Sequence, residues 1–115
     1  MSYVLGKTLS EIVWKDATHA NDGETRIVVD SFGDKMLFQH NVSSATPTTG
    51  GGYVTVEFSL DEGNTWFTPD STFGAQPSAI KQANYGFQLK PVPDYVRLTL
   101  HVTDGTHSVF VQGMG

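Results

Sequence analysis

Residues 53–60 have the sequence YVTVEFSL, in which apolar side chains recur at every second position. The residues that share this apolar face are Val54, Val56, Phe58 and Leu60. The same alternation recurs in residues 95–102, YVRLTLHV. A period of two indicates a strand with one buried face, and β-branched and aromatic residues favour strands. The two segments therefore predict antiparallel strands with one face in water.

Shorter segments with strand-like composition fill the rest of the chain, and no window shows a sustained helical repeat. They are residues 11–15, 24–30, 35–40, 64–68, 85–89 and 107–112. We expect Ile12 and Trp14 to mark one core face, and Ile27 and Val29 another. A turn at residues 31–34 favours a hairpin between segments 24–30 and 35–40. Seven to eight short strands predict an all-β fold, either a single antiparallel β-sandwich or a jelly-roll-like domain.

A chain of 115 residues corresponds to one domain. We expect residues 11–115 to form the β-sandwich, with residues 1–10 as an N-terminal arm or an edge strand. The arm is suggested by three apolar residues with no evident partner strand, Tyr3, Val4 and Leu5. Residues 43–52 and 69–78 are rich in loop-forming residues, and we interpret the three glycines at 50–52 as a flexible connector.

The composition excludes several classes of protein. The chain has no cysteine, which excludes a disulfide scaffold, a thiolate zinc site and a thiol nucleophile. It has seven basic and twelve acidic residues, which argues against a nucleic-acid partner. No apolar run approaches the length of a membrane span. We therefore expect a soluble protein, made in a reducing cytoplasm, with neither nucleic acid nor membrane as a partner.

Residues 59–66, SLDEGNTW, match S-x-D-x-G-x-T-W and resemble the Asp-box of sialidase-type β-propellers and of unrelated β-proteins. The matching residues are Ser59, Asp61, Gly63, Thr65 and Trp66. Asp61 is suited to accept N–H bonds within a turn, and Gly63 to adopt a positive φ. A sialidase needs several boxes and an arginine cluster, whereas this chain has only Arg26 and Arg97. The motif therefore predicts a structural hairpin.

The remaining chemistry in the sequence does not predict a catalytic residue, a metal site or a cofactor. One acidic cluster lies around Asp61, and a second contains Asp16, Asp22 and Glu24. The cluster around Asp61 does not have the spacing of an EF-hand loop, and both clusters are interpreted as solvated turn residues. The four histidines lack a metal-ligand spacing, and no nucleophile elbow is present. We expect that the protein is not an enzyme.

Aromatic side chains on outward faces predict a contact surface. The candidate partner contacts are Tyr3, Val4, Leu5, Tyr53, Tyr95 and His101. Phe110 is also expected to point outward. Another protein chain is the favoured partner, while Trp14, Trp66 and the outward tyrosines leave a carbohydrate-binding module as the alternative.

Residues 53–66, followed by 94–102 and 108–113, resemble small structural proteins of tailed bacteriophages in the order of their strands and hairpin. The resemblance spans about half of the chain. It implies a non-enzymatic virion protein, made in the host cytoplasm, that acts as a capsid decoration (cement) protein and stabilises the head shell. The implied partner is the major capsid protein or another virion protein, and a tail accessory protein is an alternative. The role also implies a homo-oligomer, and a trimer suits threefold junctions.

Overall fold

Eight strands in two sheets form the fold in the computed structural model, which describes residues 2–4, 11–29, 35–46, 51–69, 83–90 and 92–114. The strands are β1 Ser2–Val4, β2 Glu11–Ala17, β3 Thr25–Val29, β4 Lys35–Ser43, β5 Gly52–Ser59, β6 Ala83–Leu89, β7 Tyr95–Val102 and β8 Thr106–Met114. A single turn of 3-10 helix, His19–Asn21, links β2 to β3. The predicted all-β fold is confirmed.

The two sheets pack face to face as a β-sandwich. Sheet A has the order β1-β3-β7-β5, and sheet B has the order β2-β8-β4-β6. Every paired neighbour is antiparallel except β1, which lies parallel to β3 at the edge of sheet A. The core lies between the sheets and contains Val28, Val54, Val56, Phe58, Val96, Leu98 and Leu100 from sheet A and Trp14, Met36, Phe38, Leu89, Val109 and Val111 from sheet B.

Two predictions about single residues that face the core are wrong. Leu60 is 81 % exposed, because β5 ends at Ser59 and the chain then turns. In β2 a register shift lies between Ile12 and Trp14, so Val13 and Trp14 are both buried while Ile12 is 47 % exposed. A β-bulge of this kind breaks the alternation on which the prediction depended.

The predicted face of β3 is reversed. Val28 is fully buried, whereas Ile27 and Val29 are only partly buried on the outer face. The reason is the register with β7, which places Val28 opposite the buried Val96. All three residues are apolar, so their own alternation could not identify the inward side.

Two predicted hairpin partners are also wrong. The segment that becomes β4 does not pair with β3; it lies in the other sheet, between β8 and β6. Residues 64–68 do not form a strand, because only Phe67 pairs with Phe58 in an isolated bridge. The two backbone bonds of that bridge measure 2.8 and 2.9 Å.

The end of the glycine run is part of the packed structure and is not a flexible connector. Gly51 and Gly52 are buried, and the Gly51 carbonyl accepts bonds from the N–H groups of Thr103 at 2.9 Å and Asp104 at 3.2 Å. Gly52 has φ +154°, and a Cβ there would lie 2.1 Å from the His101 carbonyl oxygen. Only glycine therefore allows β5 to start beside the end of β7. Residues 47–50 lie outside the described part of the chain.

A buried pair of histidines lies next to this glycine. His40 Nε2 and His107 Nδ1 are 2.9 Å apart, and both side chains are fully buried. His107 Nε2 lies 2.8 Å from the Asp104 carbonyl oxygen, which can only accept. His107 Nδ1 therefore accepts from His40 Nε2 when both rings are neutral. Burial lowers the pKa of His40 from 6.5 to about 4, and the neighbouring His107 adds to this shift.

Arg26 connects the two sheets at the opposite side of the core from β6. Its guanidinium lies over the Trp14 ring, 5.0 Å from the centroid, and it also donates to the Val13 carbonyl. Glu24 accepts bonds from Arg26 Nη2 at 3.0 Å and from Trp14 Nε1 at 3.1 Å. A side-chain bond from Asn21 is the main cause that lowers the pKa of Glu24, and the Trp14 bond follows.

We expect Gly52→Ala to lower the free energy of unfolding by about 2–4 kcal/mol, because the new Cβ overlaps the His101 carbonyl. The matched control is Gly23→Ala. Gly23 has φ +84° but nothing within 4 Å of a Cβ, so only backbone strain of about 1 kcal/mol is expected. Urea denaturation of both variants measures the difference. Equal losses would contradict the steric explanation.

The histidine pair predicts loss of stability in mild acid. Below pH 6.5 the unfolded chain binds a proton at His40 that the folded chain binds only near pH 4. The free energy of unfolding should therefore fall as the pH drops through this window, by up to about 1.4 kcal/mol per pH unit. His40→Gln should flatten this slope, whereas the exposed control His19→Gln should retain it. Chemical denaturation at several pH values measures the slope, and an unchanged slope in His40→Gln would contradict this assignment.

Candidate interaction surface

The Asp-box residues lie together in a tight turn after β5. The buried Ser59 hydroxyl donates to Asp61 Oδ1 at 2.7 Å and accepts from the Gly63 N–H at 2.8 Å. Gly63 has φ +88°, and Glu62 before it has φ +61°. The turn thus places two successive residues in the left-handed region, and the Ser59 hydroxyl satisfies a backbone group that the turn would leave without a partner.

Asp61 closes the turn from the other side. Its Oδ1 accepts from the Thr65 N–H at 2.9 Å, and its Oδ2 accepts from the Thr65 hydroxyl at 2.5 Å. These bonds to Thr65, followed by the one from Ser59, lower the pKa of Asp61 from 3.8 to about 2. The carboxylate therefore stays charged, and keeps the turn closed, until the pH falls well below 3.8.

Trp66 joins the hairpin to the outer face of sheet A. The Arg97 guanidinium lies over its ring at 4.6 Å from the centroid, a cation–π contact. Arg97 also donates to Glu57 Oε1 from Nε at 3.1 Å and from Nη2 at 2.9 Å. The ring lies over Gly63 as well, where a Cβ would be 3.4 Å from Trp66 Cζ2. Trp66 thus packs the hairpin against β7, and Glu57 on β5 holds Arg97 in place.

The outward side chains of β5 and β7 form one surface, which we call the sheet A face. It consists of Tyr53, Thr55, Glu57, Tyr95, Arg97, Thr99 and His101, all partly exposed. The Tyr53 and His101 rings stack with centroids 4.5 Å apart, and Thr55 Oγ1 lies 3.4 Å from His101 Nε2. The structure therefore brings three of the six predicted partner contacts, Tyr53, Tyr95 and His101, to one face.

The other three predicted contacts are less fully described. Tyr3 and Val4 belong to β1, paired with Val28 and Val29 at the edge of the same sheet, but their side chains are not described. Leu5 lies outside the described residues. The role of these three residues as contacts stays a prediction. Phe110 is partly exposed but lies on the opposite side of the molecule, on the outer face of sheet B.

The N-terminal acidic residues serve separate structural contacts. Glu24 holds Arg26 and Trp14, and Asp22 Oδ1 accepts from the Val102 N–H at 2.8 Å. Asp16, whose φ is +53°, donates its backbone N–H to the Ser108 hydroxyl at 3.1 Å. Within the described ranges, no group of three or more His, Asp or Glu residues could hold a metal ion.

Local sequence patterns predict neither the buried histidine pair nor a groove on the outer face of sheet B. Both combine residues from strands that are distant in the sequence. The groove is lined by amide and apolar residues, which form no sequence motif. The alternation of β4 could have shown that Gln39 faces outward, but not which strands lie beside it.

In comparisons with known proteins, no family model matches the chain, and neither a curated protein nor a solved structure matches it. In the described part of the chain, no helix has the length and apolar character needed to cross a membrane.

Asp61→Asn should lower the melting temperature, because a neutral amide replaces the carboxylate that accepts charge-assisted bonds from both the Thr65 N–H and the Thr65 hydroxyl. The control Glu62→Gln removes the same charge one residue away, at an exposed side chain, and should leave the melting temperature nearly unchanged. Thermal unfolding followed by circular dichroism compares them. Equal shifts in the two variants would mean that charge, rather than the bonds of the turn, is responsible.

Proposed function

We propose that the protein is a non-enzymatic structural protein of a tailed-phage virion, a capsid decoration (cement) protein that binds assembled head protein. The observation that carries the proposal is the sheet A face. It presents the stacked rings of Tyr53 and His101 towards one end of the β5–β7 pair and Tyr95 at the other end, beside the closed Asp-box hairpin. Tyrosine and tryptophan supply much of the binding energy at protein interfaces.

The electrostatics of this face support a protein partner. Its charged residues, Arg97 and Glu57, already form an ion pair with each other. The face therefore presents little uncompensated charge to a partner, as the core of an interface requires. Hydroxyl groups on Thr55 and Thr99 add hydrogen-bonding capacity without charge, and Thr99 is itself held 3.1 Å from the Thr25 hydroxyl.

The contacts of the titratable groups support a non-enzymatic role. His40 and His107 are fully buried and bonded to each other, so they do not reach a substrate. Asp61 holds its own turn, and Glu24 holds Arg26. These four side chains therefore stabilise the fold through bonds within the protein.

The carbohydrate-binding alternative depended on two tryptophan rings that could stack on a sugar, and neither ring is open to one. Trp14 is 1 % exposed, which leaves no ring face for a sugar. Trp66 is partly buried and has Arg97 over its ring. Neither residue forms an open stacking platform.

The test is cosedimentation of the full chain with purified heads and, separately, with tails of the phage that encodes it. We expect saturable binding to heads. Tyr53→Ala and Tyr95→Ala should each weaken it by roughly tenfold or more, the range of interface hot spots. Asn84→Ala, an exposed change on sheet B, is the control and should bind normally. Binding to tails alone would favour the tail accessory protein, and failure to bind either particle would contradict the proposal.

Oligomeric mass gives an independent measurement. A trimer of the 12.5 kDa chain is expected in solution, since threefold junctions of a shell offer three equivalent sites. Light scattering coupled to size exclusion measures it. A monomer that also fails to bind heads would exclude the decoration role.

A further inference from the structure

A groove opens on the outer face of sheet B, on the side of the molecule opposite the sheet A face. It has a volume of about 680 Å³ and lies across three adjacent strands, β4, β6 and β8. This volume is within the usual range for small-ligand sites, roughly 300–1,000 Å³. The groove is independent of the surface on which the proposed function rests.

The side chains around the groove are amides and apolar groups. The amides among its lining residues are Gln39, Asn84, Gln88 and Gln112. None of the ten lining residues is charged, although the chain as a whole carries a net charge of -5. An amide donates through its NH₂ group and accepts through its oxygen, so each can bond to a hydroxyl in either direction.

The strand register arranges these side chains in rows. Leu37 on β4 lies opposite Gln112 on β8 and Gln88 on β6, so an apolar side chain is flanked by two amides. In the next row Gln39 lies opposite Phe110 and Gly86. Gly86 has no side chain, so the surface of this row is depressed where it reaches the edge strand β6.

Gln39 occupies the middle of the face and is hydrogen-bonded to a neighbour on its own strand. It lies on β4, which is bonded to strands on both sides, and its Nε2 donates to Asn41 Oδ1 at 3.0 Å. Beside it are the partly exposed ring of Phe110 and Leu37, which is 37 % exposed. Oriented polar groups next to an aromatic side chain are typical of a preformed ligand site.

We propose that this groove binds a neutral oligosaccharide. Sugar hydroxyls donate and accept hydrogen bonds as the amides do, and the C–H face of a sugar ring packs on an aromatic ring. None of the lining residues offers a counter-charge that would offset the loss of water from a charged ligand. A protein interface has an apolar centre with a polar rim, whereas here the amide of Gln39 lies at the centre. A sugar chain is therefore the better occupant.

The experiment is affinity electrophoresis and calorimetry of the full chain with dextran, mannan and galactan. Dextran sulfate and polygalacturonate serve as charged counterparts. We expect saturable binding of at least one neutral polymer, with weaker binding of the charged ones. Gln39→Ala and Gln88→Ala should each weaken binding roughly three- to tenfold, the effect of losing a neutral hydrogen bond. Phe110→Ala should weaken it as well, through loss of ring packing.

Two controls separate the groove from the rest of the protein. Thr99→Ala, on the sheet A face, should bind the polymer normally. Gln39 and Gln88 are exposed, so their variants should melt at the temperature of the parent chain. The groove variants should also bind phage heads normally, which distinguishes failure of this proposal from failure of the decoration role.

Three outcomes would overturn the proposal. The first is that no neutral polymer binds. The second is that binding survives both glutamine substitutions. The third is that these substitutions dissociate an oligomer without changing polymer binding, which would assign the groove to contact between copies of the chain.

Discussion

The ladder between β4 and β8 is the interaction on which the rest of the structure depends. It pairs nine successive residues, from Lys35 with Met114 to Ser43 with Thr106. Each of the two strands also has a second neighbour, so β2 and β6 join sheet B only through them. Because a side-chain period of two makes register decide which face is buried, this ladder places Phe38 and Val111 in the core. It also places Gln39 and Phe110 side by side outside.

The two outer faces of the sandwich consequently have different chemistry. The sheet A face carries stacked aromatic rings, hydroxyls and a self-neutralised ion pair, and the hairpin is packed against it through Trp66. The outer face of sheet B carries amides and scattered apolar groups around a groove. We propose a protein partner for the first face and a hydroxyl-rich neutral ligand for the second. Under the two proposals, the protein would attach to its shell through the first face and present the second face outward.

The candidate site shows where prediction from sequence succeeds and where it stops. The hairpin bonds join residues at most four positions apart, such as Ser59 to Gly63 and Asp61 to Thr65, so the local pattern contains the needed information. Arg97 and Trp66 are far apart in the sequence, so no local pattern predicts their contact. The outward positions of Tyr53 and Tyr95 followed from alternation, but their presence on one face required the β5–β7 pairing.

The sequence by itself determined the all-β class, the positions of the long strands β5 and β7, and the residues of the tight turn. Alternation and turn chemistry are properties of neighbouring residues, so they act before any long-range contact forms. Only the tertiary structure decided the partner of β4, the inward side of β3 and the buried pairing of His40 with His107. It also decided that Gly52 is indispensable, because the atom that excludes a side chain belongs to His101, far along the chain. Such contacts depend on which strands meet, and burial of the whole core selects that arrangement.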